Sequence, residues 1–299
     1  MIVTPVDGHV HFHPCFALPD FLDWAITNFT NLAQFNGAQS SGAQSNGVQS
    51  NGAQSSGVQS NGSAGAPAPL PPSPCGVLLL TQIGESDPLQ PLLDQAARHR
   101  EWSQQRLDEH AVLFSGRDAK SVMLIAGRQI VTAEGLELLS LCSRSPLAAR
   151  QPLEDSVAAS IASGGIPVLP WGFGKWWFSR GRIARNFLAS NKHSGVLIGD
   201  NGNRLRMMKG EINRCQRVHG SQILAGSDPL PLANQVTRVA SFGTLLPGAI
   251  DLAAPTEWMR QSLRDSSTKW TTYGKCRRLG QFCNDQLTLR LEKMRHDSH

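Results

Sequence analysis

The sequence predicts an α/β protein, a TIM-like barrel built from six or seven β/α steps. Strand-like and helix-like segments alternate along most of the 299 residues, which is typical of a mainly parallel sheet. Polar motifs follow two predicted strands, at His9–His13 and at Gly226–Asp228, and the carboxyl ends of strands are where such folds carry their sites. Apolar residues make up 40% of the chain, which is enough to fill a core of this size.

Each predicted element has its own local pattern. Residues 1–12 are rich in β-branched side chains and alternate with a period of two, which indicates a strand. Residues 19–35 begin with a proline and carry apolar residues at helical spacing. The later segments repeat these patterns in the order strand 76–83, helix 87–110, two strands within 121–143 around a turn at 132–135, helix 152–165, strand 166–173, helix 180–191, strand 194–201, helix 202–220, strand 221–232 and helix 255–265.

A low-complexity insertion at 36–75 interrupts the first β/α steps. Residues 36–60 repeat a five-residue unit five times, and a proline-rich stretch follows. Residues 36–74 carry no charge and almost no bulky apolar side chain, so burial cannot offset the entropy of ordering them. We therefore expect a disordered surface loop within one barrel domain, formed by 1–35 and 76–254. Residues 255–299 are expected to form a helical, basic extension packed on that barrel.

The net charge of +5 comes from the C-terminal region. Residues 260–295 hold nine Lys or Arg and three Asp or Glu, a local charge of 9 − 3 = +6, which leaves −1 for the rest of the chain. A solvated helical face is the simpler interpretation, and nucleic-acid binding is the alternative. No apolar run reaches the ~20 residues of a membrane span, and no signal peptide is evident, so we expect a cytoplasmic protein without a membrane partner.

The stretch VDGHVHFHPCF, residues 6–16, predicts a metal site. His9 and His11 are two residues apart, so they lie on the same side of an extended strand. With Asp228 after a later strand, they offer two imidazoles and a carboxylate, which suits one divalent ion such as Zn, Mn or Fe. His13 lies further into the following loop, where it lines the site or shuttles protons. The alternative is an ordinary polar strand end without a metal.

The order of these motifs resembles the PHP (polymerase and histidinol phosphatase) domain family, from about residue 6 to about residue 230 without the insertion. His9 and His11 match its opening His-x-His, and Asp228 matches its last motif, Gly-Ser-Asp-x-His. The resemblance implies a distorted seven-stranded β/α barrel and phosphoester hydrolysis with up to three metal ions. The first and last motifs are also similar to those of the amidohydrolase superfamily.

The sequence departs from the PHP pattern at positions that would ligate metal. Five residues replace the Asp, Glu or His of the family motifs, namely Gln82, Ile83, Gln129, Trp171 and Leu230. A cluster of divalent ions needs several carboxylates to offset its charge, so these losses predict at most one ion.

Two further segments are expected to face the same site. Five of residues 171–178 are aromatic, and Trp171, Lys175 and Arg180 are predicted to form a wall that binds an anionic substrate. A packed loop without ligand contact is the alternative. Asp200 ends the next strand and is a candidate catalytic proton acceptor. Asn201 and Arg204 follow it as candidate substrate-binding residues, although this stretch also suits a turn and helix cap.

Together these observations predict a PHP-like metal-dependent hydrolase with a mononuclear site. Its substrate would be a small anionic ester, such as a phosphoester, or an amide. The alternative is a catalytically degenerate relative that binds a ligand or a partner without turnover.

Deleting residues 36–74 should leave the melting temperature and any activity unchanged, because this segment offers nothing to bury. Differential scanning fluorimetry of the deletion variant beside the full-length protein tests this. A decrease of more than about 2 °C, which corresponds to roughly 1 kcal/mol for a domain of this size, would contradict the prediction.

Overall fold

The computed structural model describes residues 2–40, 73–84, 86–116, 118–172, 176, 178–190, 195–205 and 208–296. Within them, strands and helices alternate irregularly. The strands are β1 (Val3–Val10), β2 (Val77–Leu80), β3 (Gln82–Ile83), β4 (Ser103–Arg106), β5 (Ala111–Ser115), β6 (Ser121–Ile125), β7 (Gly127–Val131), β8 (Glu137–Leu141), β9 (Ile166–Pro170), β10 (Leu197–Asn201), β11 (Ile223–Gly226), β12 (Phe242–Pro247) and β13 (Thr271–Gly274). The α-helices are α1 (Leu18–Ser40), α2 (Gln90–Ala96), α3 (Leu153–Ala162), α4 (Phe178–Ala189), α5 (Lys209–His219), α6 (Pro255–Arg264) and α7 (Leu279–His296).

The predicted TIM-like barrel is wrong. The described strands form two mixed sheets and no closed barrel: one of seven strands, β13-β12-β1-β2-β6-β5-β4, and one of six, β11-β10-β9-β8-β7-β3. The barrel prediction required a helix after almost every strand. Instead β4, β5 and β6 pair antiparallel in succession, as do β7, β8 and β9, and β12 pairs antiparallel with both β1 and β13.

Several predicted elements are confirmed. The turn at 132–135 connects β7 to β8, with Gly135 at φ 74°, and α3 ends before Gly164 at φ 75°. The helix at 255–265 is α6. Helix α5 is shorter than predicted, and it ends at Gly220 in the left-handed conformation. That conformation suits a residue without a Cβ.

Other elements differ from the prediction because of their sheet contacts. The helix expected over 87–110 is limited to α2, and the exposed residues 103–106 form an edge strand against β5. The segment 121–143 contains three strands rather than two, of which β6 belongs to the other sheet. Strands β5 and β12 had no predicted counterpart. Strand β12 pairs with β1, which is distant in the sequence, and β5 pairs with the neighbouring strands β4 and β6. Local patterns do not reveal such sheet pairing.

The ends of the chain segments also differ from expectation. Helix α1 continues to Ser40, through the first five residues of the predicted insertion, while residues 41–72 lie outside the described residues. The C-terminal region is not wholly helical, because β13 extends the seven-stranded sheet between α6 and α7. None of the described helices has both the length and the apolar character that crossing a bilayer requires.

The two sheets meet where β1 lies against β11. The backbone N–H of Asp228 donates to the carbonyl of His9 at 2.8 Å, just beyond the end of β11. Gly226 permits this approach, since a Cβ built on it would lie 2.5 Å from His9 Cβ and 2.8 Å from His9 Cα. The ends of β1 and β11 are thereby brought into direct contact.

Replacing Gly226 by alanine should therefore destabilise the protein by about 3 kcal/mol, since the added methyl group overlaps backbone that cannot rotate away. Chemical denaturation of Gly226→Ala measures the loss. Gly210→Ala is the matched control, because nothing lies within 4 Å of a Cβ at that helical position. Equal stability of the two variants would contradict the close approach of β1 and β11.

Candidate metal centre

The strand ends bring His9, His11 and Asp228 together. His9 lies near the end of β1, His11 follows that strand directly, and Asp228 lies two residues beyond β11. The Nε2 atoms of the two histidines are 3.1 Å apart, and they lie 3.6 and 3.7 Å from Asp228 Oδ1. Both imidazoles are buried, and the Asp228 side chain is 14% exposed. Within the described residues, these three form the group whose ligand atoms lie close enough to share one ion.

A buried carboxylate beneath the histidines holds this arrangement in place. Asp7 accepts hydrogen bonds from the backbone N–H groups of Ser227 at 2.8 Å, Ala240 at 2.9 Å and His9 at 3.3 Å. Burial raises the pKa of the Asp7 carboxyl to about 7, and these N–H donors oppose the rise. Asp7 thus connects β1 to the segments after β11 and after the following 3₁₀ helix, Ala233–Arg238.

Asp228 is oriented by two asparagines, one at the end of β10 and one in the loop that follows it. Asn201 Nδ2 donates to Asp228 Oδ2, and Asn203 Nδ2 donates to the backbone carbonyl of Asp228. Asn201 Oδ1 in turn accepts from the N–H of Asn203 at 2.7 Å. Asp228 has a φ of 45°, a left-handed conformation that Asp and Asn tolerate better than most residues. Its Oδ1 is left facing the histidines.

The donor set fits a divalent ion. A neutral imidazole carries one ring proton, and a carboxylate carries none. One ring proton can serve the contact between the Nε2 atoms of His9 and His11. Asp228 Oδ1 lies 3.6 and 3.7 Å from these two nitrogens, which is beyond hydrogen-bond distance. Two ligands about 2.1 Å from a common ion lie roughly 3.0–3.7 Å apart for angles of about 90–125°. The three observed separations fall in this range. Gln129 Oε1, 3.2 Å from His9 Nε2, adds a neutral oxygen at the same point.

Asp200 and Arg204 form an ion pair next to the centre. Arg204 Nη2 donates to Asp200 Oδ2 at 2.8 Å, Arg204 Nε donates to Asp200 Oδ1, and both residues are buried. The paired carboxylate raises the pKa of the Arg204 guanidinium against the effect of burial. Asp200 was expected to accept a proton during catalysis, but a bidentate partner occupies both of its oxygens.

The residues of the predicted aromatic wall do not lie together in the structure. Trp171 is buried in a core cluster with residues of β8, α3 and α4, so its ring supports the sheet. Arg180 is exposed on α4, and Lys175 lies outside the described residues. The structure brings neither Trp171 nor Arg180 into contact with the histidine cluster, whereas Asn201 reaches Asp228 directly.

Gln82 and Ile83, two of the positions where the PHP motifs were replaced, make no hydrogen bond to the histidine cluster among the described residues. Gln82 accepts from the N–H of Phe12 at 2.9 Å and donates to its carbonyl at 3.0 Å. Ile83 is 69% exposed. Gln129 is the exception, because it contacts His9 and was noticed in the sequence only as a lost carboxylate.

Two contributors to the site had no predicted role. Thr81 Oγ1 lies 3.5 Å from His11 Nε2, and Asn203 holds the backbone of Asp228. Both were present in sequence motifs noted above, Thr81 before Gln82 and Asn203 between Asn201 and Arg204. Their side-chain types gave no separate signal, because Thr and Asn are common in turns and strand ends.

Comparison with known proteins adds little to this geometry. No protein-family model matches the chain, and no curated protein matches it. Among solved structures, the crystal structure of PsfC from Pseudomonas syringae PB-5123 is similar, with 16% sequence identity over 92% of this chain and 93% of that chain and a TM-score of 0.49. At that level, the similarity carries no argument about activity.

Replacing Asp7 by alanine should lower the free energy of unfolding by about 3 kcal/mol or more, because three buried N–H groups lose their acceptor. Urea denaturation followed by circular dichroism measures the loss. Asp251→Ala is the matched control, since that exposed carboxylate accepts one local N–H bond, from Ala253 at 2.9 Å. A loss of unfolding free energy in Asp7→Ala no larger than that in Asp251→Ala would contradict the role of Asp7 as the acceptor of three buried N–H groups.

Proposed function

We propose that the protein is a metal-dependent hydrolase with a mononuclear centre formed by His9, His11 and Asp228. The convergence of two imidazole nitrogens and one carboxylate oxygen, 3.1–3.7 Å from one another, carries this proposal. The order of motifs resembling the PHP family supports a small anionic ester, such as a phosphoester, as substrate, with an amide as the other class. Zn, Mn and Fe are all compatible with this donor set.

The residues around the centre have distinct tasks in this proposal. A bound divalent ion would supply Lewis acidity to polarise the substrate and activate water. Asn201 holds Asp228 Oδ2, so that Oδ1 remains directed at the histidines. Gln129 fixes the position of the His9 ring through its amide oxygen. Asp7 positions the backbone of His9 and Ser227, and therefore both sides of the centre.

A second candidate is a ligand-binding protein without turnover. Two of the residues that replace metal ligands of the PHP motifs favour this candidate. Gln82 is hydrogen-bonded to the main chain of Phe12, and Trp171 is buried in the core. The bidentate pairing of Asp200 with Arg204 also leaves that carboxylate without a free oxygen for proton transfer. Under this candidate, the histidine cluster would be a structural polar network.

Metal content distinguishes the two candidates. After supplementation with Zn²⁺, Mn²⁺ or Fe²⁺ and dialysis, elemental analysis should find close to one equivalent in the wild-type protein. Less than about a tenth of an equivalent should remain in His9→Ala or Asp228→Ala, because each substitution removes one of only three protein ligands. His99→Ala is the control, since that histidine pairs with Glu101 outside the cluster.

A wild-type protein with less than about a tenth of an equivalent would overturn the hydrolase proposal. Where metal is bound, a panel of phosphomonoesters, phosphodiesters and cyclic amides defines the substrate class. Full metal content combined with no turnover on the entire panel would favour the ligand-binding candidate.

A further inference from the structure

A cationic cavity of about 950 Å³ lies beside the candidate metal centre. The loop after β10, the strands β12 and β13 and the start of α7 surround it. Since β13 runs parallel to β1, the end of β13 lies at the same end of the sheets as His11. Six basic residues line the cavity, namely Arg204, Lys209, Arg238, Lys275, Arg277 and Arg278, and its described lining contains no acidic residue.

Only two of these cations are neutralised by ion pairs in the described part of the chain. Arg204 pairs with Asp200, and Arg277 Nη2 lies 2.8 Å from Asp285 Oδ2. The other four have no ion pair with a carboxylate among the described residues, which leaves a local excess of about four positive charges. Such an excess in a concave site attracts anions by focusing the electrostatic field.

Arg238 is the most informative of the four. It ends the 3₁₀ helix and is only 9% exposed, yet its Nε and Nη2 atoms have no hydrogen-bond partner among the described residues. Burial and the neighbouring Arg277 lower the pKa of its guanidinium to about 10, although attraction by Asp285, Asp228 and Asp7 opposes this decrease. Since buried N–H donors without a hydrogen-bond partner are unfavourable, these two donors are suited to an anionic ligand.

The surrounding backbone favours the same kind of ligand. Lys209 and Leu279 are the first residues of α5 and α7, and both line the cavity, so two helix N-termini contribute partial positive charge. Phe242 adds an aromatic surface to the lining. The volume is several times that of a single phosphate and falls in the range of small-molecule sites.

We propose that this cavity binds a small molecule carrying two or more phosphoryl groups, with Arg238 as the buried anchor and Lys275 and Arg278 at the exposed rim. Guanidinium groups match phosphate oxygens with paired donors, and several phosphoryl groups balance about four cations better than one carboxylate does. The site is separate from the three proposed metal ligands, none of which lines the cavity. It therefore does not depend on the proposed hydrolase activity.

The cavity and the metal centre nevertheless share one wall. Asn201 contacts Asp228, whereas a Cβ built on the next residue, Gly202, would lie 3.0 Å from Arg238 Nη2. A ligand held by Arg238 would therefore lie next to Gly202, and the preceding residue, Asn201, contacts Asp228. This proximity would place the remainder of a phosphorylated molecule close to the candidate centre.

Isothermal titration calorimetry with inorganic triphosphate tests the proposal. The full-length protein is first treated with EDTA and dialysed, so that bound metal does not contribute, and ionic strength is held constant with sodium chloride. We expect saturable binding in the wild-type protein and an increase of Kd of at least tenfold in Arg238→Met. His9→Ala should bind as the wild-type protein does.

Matched variants separate specific binding from general attraction. Arg180→Met removes one exposed cation outside the cavity and should leave Kd unchanged, whereas Lys275→Gln with Arg278→Gln should raise it about tenfold. The double variant also provides a test if Arg238→Met does not fold, as judged by circular dichroism. Absence of binding in the wild-type protein, or equal weakening by Arg180→Met, would overturn the proposal. Displacement of triphosphate by a DNA duplex at equal phosphate concentration would overturn its assignment to a small molecule.

Discussion

The contact between β1 and β11 determines the geometry of the candidate site. These strands lie in different sheets, and they approach so closely that a side chain at Gly226 would overlap His9. The carbonyl of His9 accepts from the N–H of Asp228, and the carboxylate of Asp7 accepts from Ser227. Because these bonds join the two backbones directly, Asp228 is tied to β1 although it lies beyond the end of β11.

Two neighbouring regions have opposite electrostatic requirements. The histidine cluster directs two imidazole nitrogens and a carboxylate oxygen toward one point, whereas the adjacent cavity presents cations without carboxylates among its described lining. The end of β10 separates them through Asn201, a neutral amide, and through the ion pair of Asp200 with Arg204. Since the pair has no net charge and is buried, it positions the loop without neutralising either region. A metal ion on one side and a phosphorylated ligand on the other would satisfy both requirements.

Prediction from the sequence succeeded where local chemistry was sufficient. Period-two spacing placed His9 and His11 on one side of a strand, and the motif containing Asp228 was correctly associated with them. Prediction failed where the contacts that a side chain makes after folding decided the outcome. Asp200 looked like a free carboxylate until Arg204 folded back onto it, and Trp171 looked like a ligand wall until the core enclosed it. The cationic cavity was invisible as well, because Arg238 and Arg277 lie on separate elements that only folding brings together.

By itself, the sequence determined the α/β class, the extended histidine strand, the helices at 153–162 and 255–264, and the set of possible metal ligands. These depend on side-chain period, capping and residue type, all of which act over a few neighbouring residues. Only the tertiary structure decided that the strands divide into two mixed sheets, that Trp171 is buried in the core and that cations without an ion pair among the described residues line one cavity. The physical reason is that strand pairing, burial and charge compensation depend on contacts between distant segments, and a local pattern is compatible with more than one such set of contacts.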